Sequence, residues 1–277
     1  MLHPNASLFA RDQVFNGYTM RGKDIQAAEL ENLSLGVTGI INGANTTNFL
    51  NPGTLKAWWP CIGTTSTSQA LNMISNTLST FPVNWTLSPT AHDGYMTFNG
   101  TSQYGAIANS NGASAPPFSN TGAITLSVWA TVASFANAVA QFCGRWTDLG
   151  YAYTILRIGS AVYGLIGIAG SSNYGCSVAY SALNTWSHWV MTFIPSVGVF
   201  LYKDGTLAAS NTVSPPAAQT NSSVNFQIGA AINGATPVYF HNGSLSDVMM
   251  FNVALTSTQV ANLYTAQFAI QHQKGLF

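Results

Sequence analysis

From residue 54 onward, apolar and polar side chains alternate in short runs. In Ala123–Val132 the side chains of Ile124, Leu126, Val128, Ala130 and Val132 share one face, as in a strand with one side in a core. Further runs predict strands at 95–99, 103–108, 138–144, 152–158, 162–169, 186–194, 199–203, 224–228, 238–241 and 244–252. Clusters of Gly, Asn and Ser separate them, and so many short strands predict a sandwich or barrel. Lys203-Asp204-Gly205-Thr206 is the sharpest turn signal, because Asp-Gly supplies the positive φ angles of a type I′ hairpin. One stretch reads as helix: Thr256 caps it, Gln259 completes a capping box, and Val260, Leu263 and Tyr264 face the sandwich.

The first 53 residues are different. Arg11, Asp12, Arg21, Lys23, Asp24, Glu29 and Glu31 fall there, whereas the longer remainder is nearly uncharged. Lys23–Leu35 has the spacing of a short amphipathic helix, too small to be stable alone. The shift, with the turn signal Asn51-Pro52-Gly53, divides the chain into an extended or helical arm, 1–53, and a sandwich with a short C-terminal helix, 54–277. Such an arm packs on its own sandwich or on a neighbouring subunit. Arg11, Arg21, Lys23 and Asp24 are its candidate anchoring residues.

Composition narrows the partners. Of 277 residues 47% are apolar and 6% charged, so the surface is dressed with Ser, Thr, Asn, Gln and Gly rather than with ions. Eight basic and eight acidic residues cancel, which leaves no basic footprint for nucleic acid or anionic lipid and favours association between copies. No apolar run nears the ~20 residues of a membrane-spanning helix, and the first residues lack the pattern of a secretory signal. The chain therefore reads as soluble and not exported by the usual route. Cys61, Cys143 and Cys176 are odd in number and widely spaced, which predicts buried thiols.

Several segments carry a resemblance. Leu55–Pro60, Tyr95–Tyr104, Ile124–Trp129, Thr185–Phe193 with Leu201–Gly205, and Gly243–Val248 with Ala254–Tyr264 occur in the order of strands and closing helix of the concanavalin A-like lectin/glucanase superfamily. Within it they resemble the laminin G-like group found in extracellular and phage virion proteins. The resemblance implies an all-β antiparallel sandwich of jelly-roll type over about 55–267. Relatives often place Asp-rich, calcium-binding turns where this chain has Asn99-Gly100-Thr101-Ser102-Gln103 and Ser246, so calcium is not indicated. If it bound, Asp247, Asp148 or backbone carbonyls would contribute. No other cofactor is expected.

The residues offer little chemistry. Glycoside hydrolysis needs two carboxylates flanking the scissile bond, and residues 54–277 contain Asp93, Asp148, Asp204 and Asp247 with no Glu. Asp204 is accounted for by its turn. His92-Asp93 and His188 are not joined by a nucleophile elbow, and His188 reads as a packed imidazole. His3, His92, His188, His241 and His272 are scattered, so zinc is not indicated. Aromatic residues near predicted loops are the candidates for stacking on sugars: Trp85, Trp146, Tyr151, Tyr153 and Tyr174, with Asp148 as a polar contact.

The expectation is a non-enzymatic virion protein assembled in the host cytoplasm, a capsid decoration or tail-associated subunit. Its arm would contact other virion subunits such as the major capsid protein, or further copies of itself, while the sandwich faces outward. The alternative is a carbohydrate-binding lectin module of a cell-surface or secreted protein, with a host glycan as ligand.

Overall fold

The structure, a computed structural model, describes residues 14–15, 18–19, 55–59, 61, 83–87, 89–92, 94–107, 122–146, 152–168, 172–220 and 224–273. In the arm, Val14–Phe15 (β1) and Tyr18–Thr19 (β2) pair antiparallel. The helix expected at Lys23–Leu35 and the anchoring candidates Arg11, Arg21, Lys23 and Asp24 lie outside the described residues.

Two antiparallel sheets face each other. One has seven strands, in the order Ser172–Ala179 (β12), Ala161–Ile168 (β11), Tyr153–Ile158 (β10), Val139–Arg145 (β9), Phe226–Ile228 (β16), Tyr104–Ile107 (β7) and Val83–Thr86 (β4). The other has eight: Thr206–Asn211 (β15), Gly198–Lys203 (β14), Ser187–Ile194 (β13), Ile124–Ala130 (β8), Asn242–Phe251 (β19), Tyr95–Asn99 (β6) and Thr90–His92 (β5), with Leu55–Trp59 (β3) also pairing with β19. This is the two-sheet antiparallel sandwich that the family resemblance implied, one of the two architectures that the alternation allowed.

The core lies between the sheets. Ile124, Leu126, Val128, Met191 and Phe193 meet Phe142, Ile155 and Ile166 there, and Trp59 stacks on Phe226 with centroids 5.0 Å apart. Each such side chain contributes roughly 1.5–3 kcal/mol on leaving water. Cys61 and Cys143 are buried free thiols and Cys176 is half-buried; burial pushes the Cys176 thiol up to about 12.

The strands at the ends of the two sheet orders are β12, β4, β15 and β5, and none of them is among the runs predicted as strands. Their runs are short or rich in small and polar residues: β4 has four residues and β5 three, and in β12 the core-facing Tyr174, Cys176 and Val178 stand between Asn173, Gly175 and Ser177. Two edges close on each other: the Tyr174 hydroxyl of β12 donates to the Asn211 carbonyl of β15 at 2.8 Å, and Asn211 Nδ2 donates to the Gly175 carbonyl at 3.0 Å. A strand was also expected at 238–241. Instead Ala231–Asn233 (β17) and Thr236–Val238 (β18) form a separate hairpin, and residues 239–241 leave it.

The helix Ser257–Gln273 (α1) lies on the outer face of the eight-stranded sheet and runs nine residues beyond the predicted Tyr264. Its capping box is formed: Gln259 N donates to Thr256 Oγ1 at 3.3 Å, and Thr256 N to Gln259 Oε1 at 2.9 Å. Val260, Leu263 and Ala266 pack against Trp58, Val190, Tyr202, Met249 and Phe251. No helix among the described residues is long and apolar enough to cross a membrane.

Candidate functional site

The aromatic residues expected to meet a ligand are mostly inside. Tyr153 is fully buried between the sheets, its hydroxyl directed at Met250 Sδ 3.7 Å away, and burial raises its pKa. Tyr174 also belongs to this core, with its hydroxyl engaged at the closed edge. Trp146 is 5% exposed, on the outer face of the seven-stranded sheet among Leu156, Leu165 and Ala231, where Ile232 of the β17–β18 hairpin donates to its carbonyl. Trp85 is half-buried against the core. The expectation that these rings stack on sugars is therefore corrected for Tyr153, Tyr174 and Trp146. Alternation on their strands and hairpin cover turn them inward, and none offers an open face. Tyr151 and Asp148 lie outside the described residues.

The two described carboxylates of the sandwich are engaged in structure. Asp204 occupies the β14–β15 turn at φ +50, followed by Gly205 at +77, as a type I′ turn requires. Its Oδ1 accepts from His188 N at 2.8 Å and its Oδ2 pairs with Lys203 Nζ at 2.8 Å. Asp247 is buried. Trp58 Nε1 donates to its Oδ1 at 2.7 Å, and Gln271 Nε2 donates to its Oδ2, so it fastens β3 and the end of α1 to β19.

His188 is packed as predicted. Its Nε2 shares a 2.7 Å hydrogen bond with Ser127 Oγ, its ring stacks on Trp129 at 5.0 Å, and burial holds it neutral, pushed down to about 3. His241 is likewise buried against Phe142; desolvation, with the Arg157 charge adding, pushes it down to about 3. The turn expected to lack calcium ligands is closed by its own side chain, since Asn99 Oδ1 accepts from the backbone N of Thr101 and Ser102, each at 3.0 Å. Among the described residues no group of three His, Cys, Asp or Glu is placed to hold a metal ion.

An open face exists elsewhere. On the eight-stranded sheet beside α1, the outward row runs from exposed Thr90 through half-buried Thr97 to buried Ser244, which pair strand to strand. Thr97 Oγ1 and Ser244 Oγ are 2.9 Å apart, and Ser244 N donates to Thr131 Oγ1 at 2.9 Å. The adjacent row holds His92 paired with Tyr95, whose rings stack 4.4 Å apart and 10° from parallel. Trp186 meets Tyr95 edge to face at 5.5 Å and 78°. His92 is exposed, while Tyr95 and Trp186 are half-buried.

Both supports are anchored. Ser246 Oγ donates to the Gly94 carbonyl at 2.6 Å beneath the β5–β6 turn, where Gly94 sits at φ +97. The loop before Trp186 is tied by Tyr180 Oη to the Thr185 carbonyl at 3.1 Å and by Asn184 N to the Val132 carbonyl at 2.8 Å. His92-Asp93-Gly94-Tyr95 carries the same Asp-Gly signal as the β14–β15 hairpin, but nothing in the sequence joins it to Trp186.

A comparison with curated protein sequences finds no match. Among solved structures, the receptor-binding domain of botulinum neurotoxin C/D mosaic serotype is similar, with a TM-score of 0.61 at 9% identity over 78% of this chain and 52% of that one. The binding domain of botulinum neurotoxin serotype D gives 0.60 at 8% over 78% and 52%. A structure of botulinum neurotoxin type C, whose cell entry is described as dependent upon interaction with two ganglioside molecules, gives 0.57 at 8% over 77% and 51%. The chain thus spans about half the length of these structures, and at such identities the likeness is one of fold. The family model described as the concanavalin A-like lectin/glucanases superfamily, in its laminin G-like form, matches residues 99–261. That is more than half of the 277 residues, in the strand order and sandwich geometry above, and the chain belongs to this superfamily.

Proposed function

We propose that the chain is a non-enzymatic structural and recognition subunit of a virion, a capsid decoration or tail-associated protein whose lectin-like sandwich faces outward. The supporting observation is the state of its carboxylates. Asp204 and Asp247, the ones among the described residues of the sandwich, are both spent on fold-holding hydrogen bonds, which leaves no acid and base flanking a cleft there. The near-chargeless surface agrees with close packing in an assembly, with other virion subunits or with further copies. Sedimentation of lysate from a producing culture tests this reading. The chain is expected to travel with particles, and its recovery only in the slow soluble fraction would overturn the virion assignment.

A second reading, a carbohydrate-binding module of a cell-surface or secreted protein, is favoured by the ring cluster His92, Tyr95 and Trp186 on an open sheet face. Likeness in fold to neurotoxin receptor-binding domains is compatible with it. The two readings are not exclusive, since an outward sandwich on a particle can also adhere.

A further inference from the structure

We infer that the column of rings Trp186, Tyr95 and His92 is a binding site for a neutral hexopyranose of a glycan, with the sugar's C–H face lying on the His92 imidazole. The inference rests on reading the sandwich as a recognition module, and it names the place and the ligand class.

The column is graded in exposure. Trp186 and Tyr95 are half-buried at the inner end, and His92, on the edge strand β5, is exposed and has Tyr95 as its ring partner. A cross-strand stack backed by a third ring fixes the imidazole plane before a ligand arrives, so little side-chain freedom is lost on binding. The outer face of such a plane is flat and weakly polar, matching the C–H face of a pyranose, whose hydroxyls then point sideways. Hydroxyl partners stand on the same sheet face: Thr90 is exposed two residues along β5, and Thr97 lies opposite it.

Charge decides between glycan classes. His92, Tyr95, Trp186, Thr90, Thr97 and Ser244 include no Lys, Arg, Asp or Glu. A sialylated or sulfated sugar finds no fixed cation among them, whereas a neutral hexose finds rings and hydroxyls.

The test uses the full chain on an array of neutral gluco-, galacto- and manno-oligosaccharides, with sialylated and sulfated glycans as the anionic arm. Positive spots are then titrated by tryptophan fluorescence. The inference expects neutral spots to bind, affinity to fall at least tenfold in His92→Ala and Tyr95→Ala, and His92→Phe to restore it. Val213→Ala, beyond the opposite edge strand, should leave binding unchanged, and thermal melts should show all variants folded. Binding that survives both alanine variants would overturn the site while keeping a lectin. Binding confined to anionic glycans would overturn the ligand class. No binding anywhere would overturn site and glycan together, while the virion reading would still be decided by sedimentation.

Discussion

The eight-stranded sheet presents outward rows of Ser, Thr and aromatic residues on both halves, yet the halves end in opposite states. Under α1, Thr125, Ser127, Trp129, His188 and Asp247 are buried, and the helix supplies partners: Gln267 Oε1 accepts from Trp129 Nε1 at 3.0 Å, and Gln271 donates to Asp247. Beyond the helix, the same alternation leaves Thr90 and His92 in solvent. A polar outward row therefore does not fix its own role. A covering element converts it into an internal network, in which each unmatched polar atom is costly, and its absence leaves a surface free to recognise.

The largest expected effect separates the two states by pH. His188 and His241 are held neutral in the fold down to about pH 3, while in the unfolded chain they take up a proton near 6.5. Between those values the unfolded state binds more protons. Stability is then full above about 6.5 and is lost as pH falls toward 3, at on the order of 1.4 kcal/mol per pH unit for each ring. Urea midpoints measured from pH 7 to 4 should fall steadily, and a flat profile would contradict the neutral burial of both rings.

Asp247→Ala comes next. It leaves Trp58 Nε1 without its acceptor and removes the Gln271 tie to β19, and should cost roughly 3 kcal/mol in urea denaturation. Ser127→Ala removes the partner of His188 Nε2 and should cost about 1–2 kcal/mol in the same assay. In the open half, Thr90→Ala should change stability by less than about 0.5 kcal/mol. A large loss there would mean that this half is covered too.

The same contrast explains what the sequence could tell. Central strands such as β8 and β13 bury one face in the core and the other under the helix, and their apolar period is plain. Edge strands β4 and β5 are only four and three residues long, and β12 and β15 are rich in small and polar residues, so their period stands out less; β5 carries the His92 ring. Tyr153 and Tyr174 were misplaced for a related reason. A Tyr within a strand can face core or solvent, and the register of neighbouring strands decides. The His92–Tyr95 pair is legible through its Asp-Gly turn, but the meeting of Tyr95 with Trp186 joins residues 91 positions apart and becomes visible only in the folded sheet.

Lys203–Asp204 is the ion pair of the described residues, and it is partly exposed. Such a pair is worth about 0–1 kcal/mol, and with 6% charged residues the chain carries little charge for added electrolyte to screen. The sandwich should melt at nearly the same temperature in dilute buffer and in molar sodium chloride, because packing and neutral hydrogen bonds rather than screened charge set its stability.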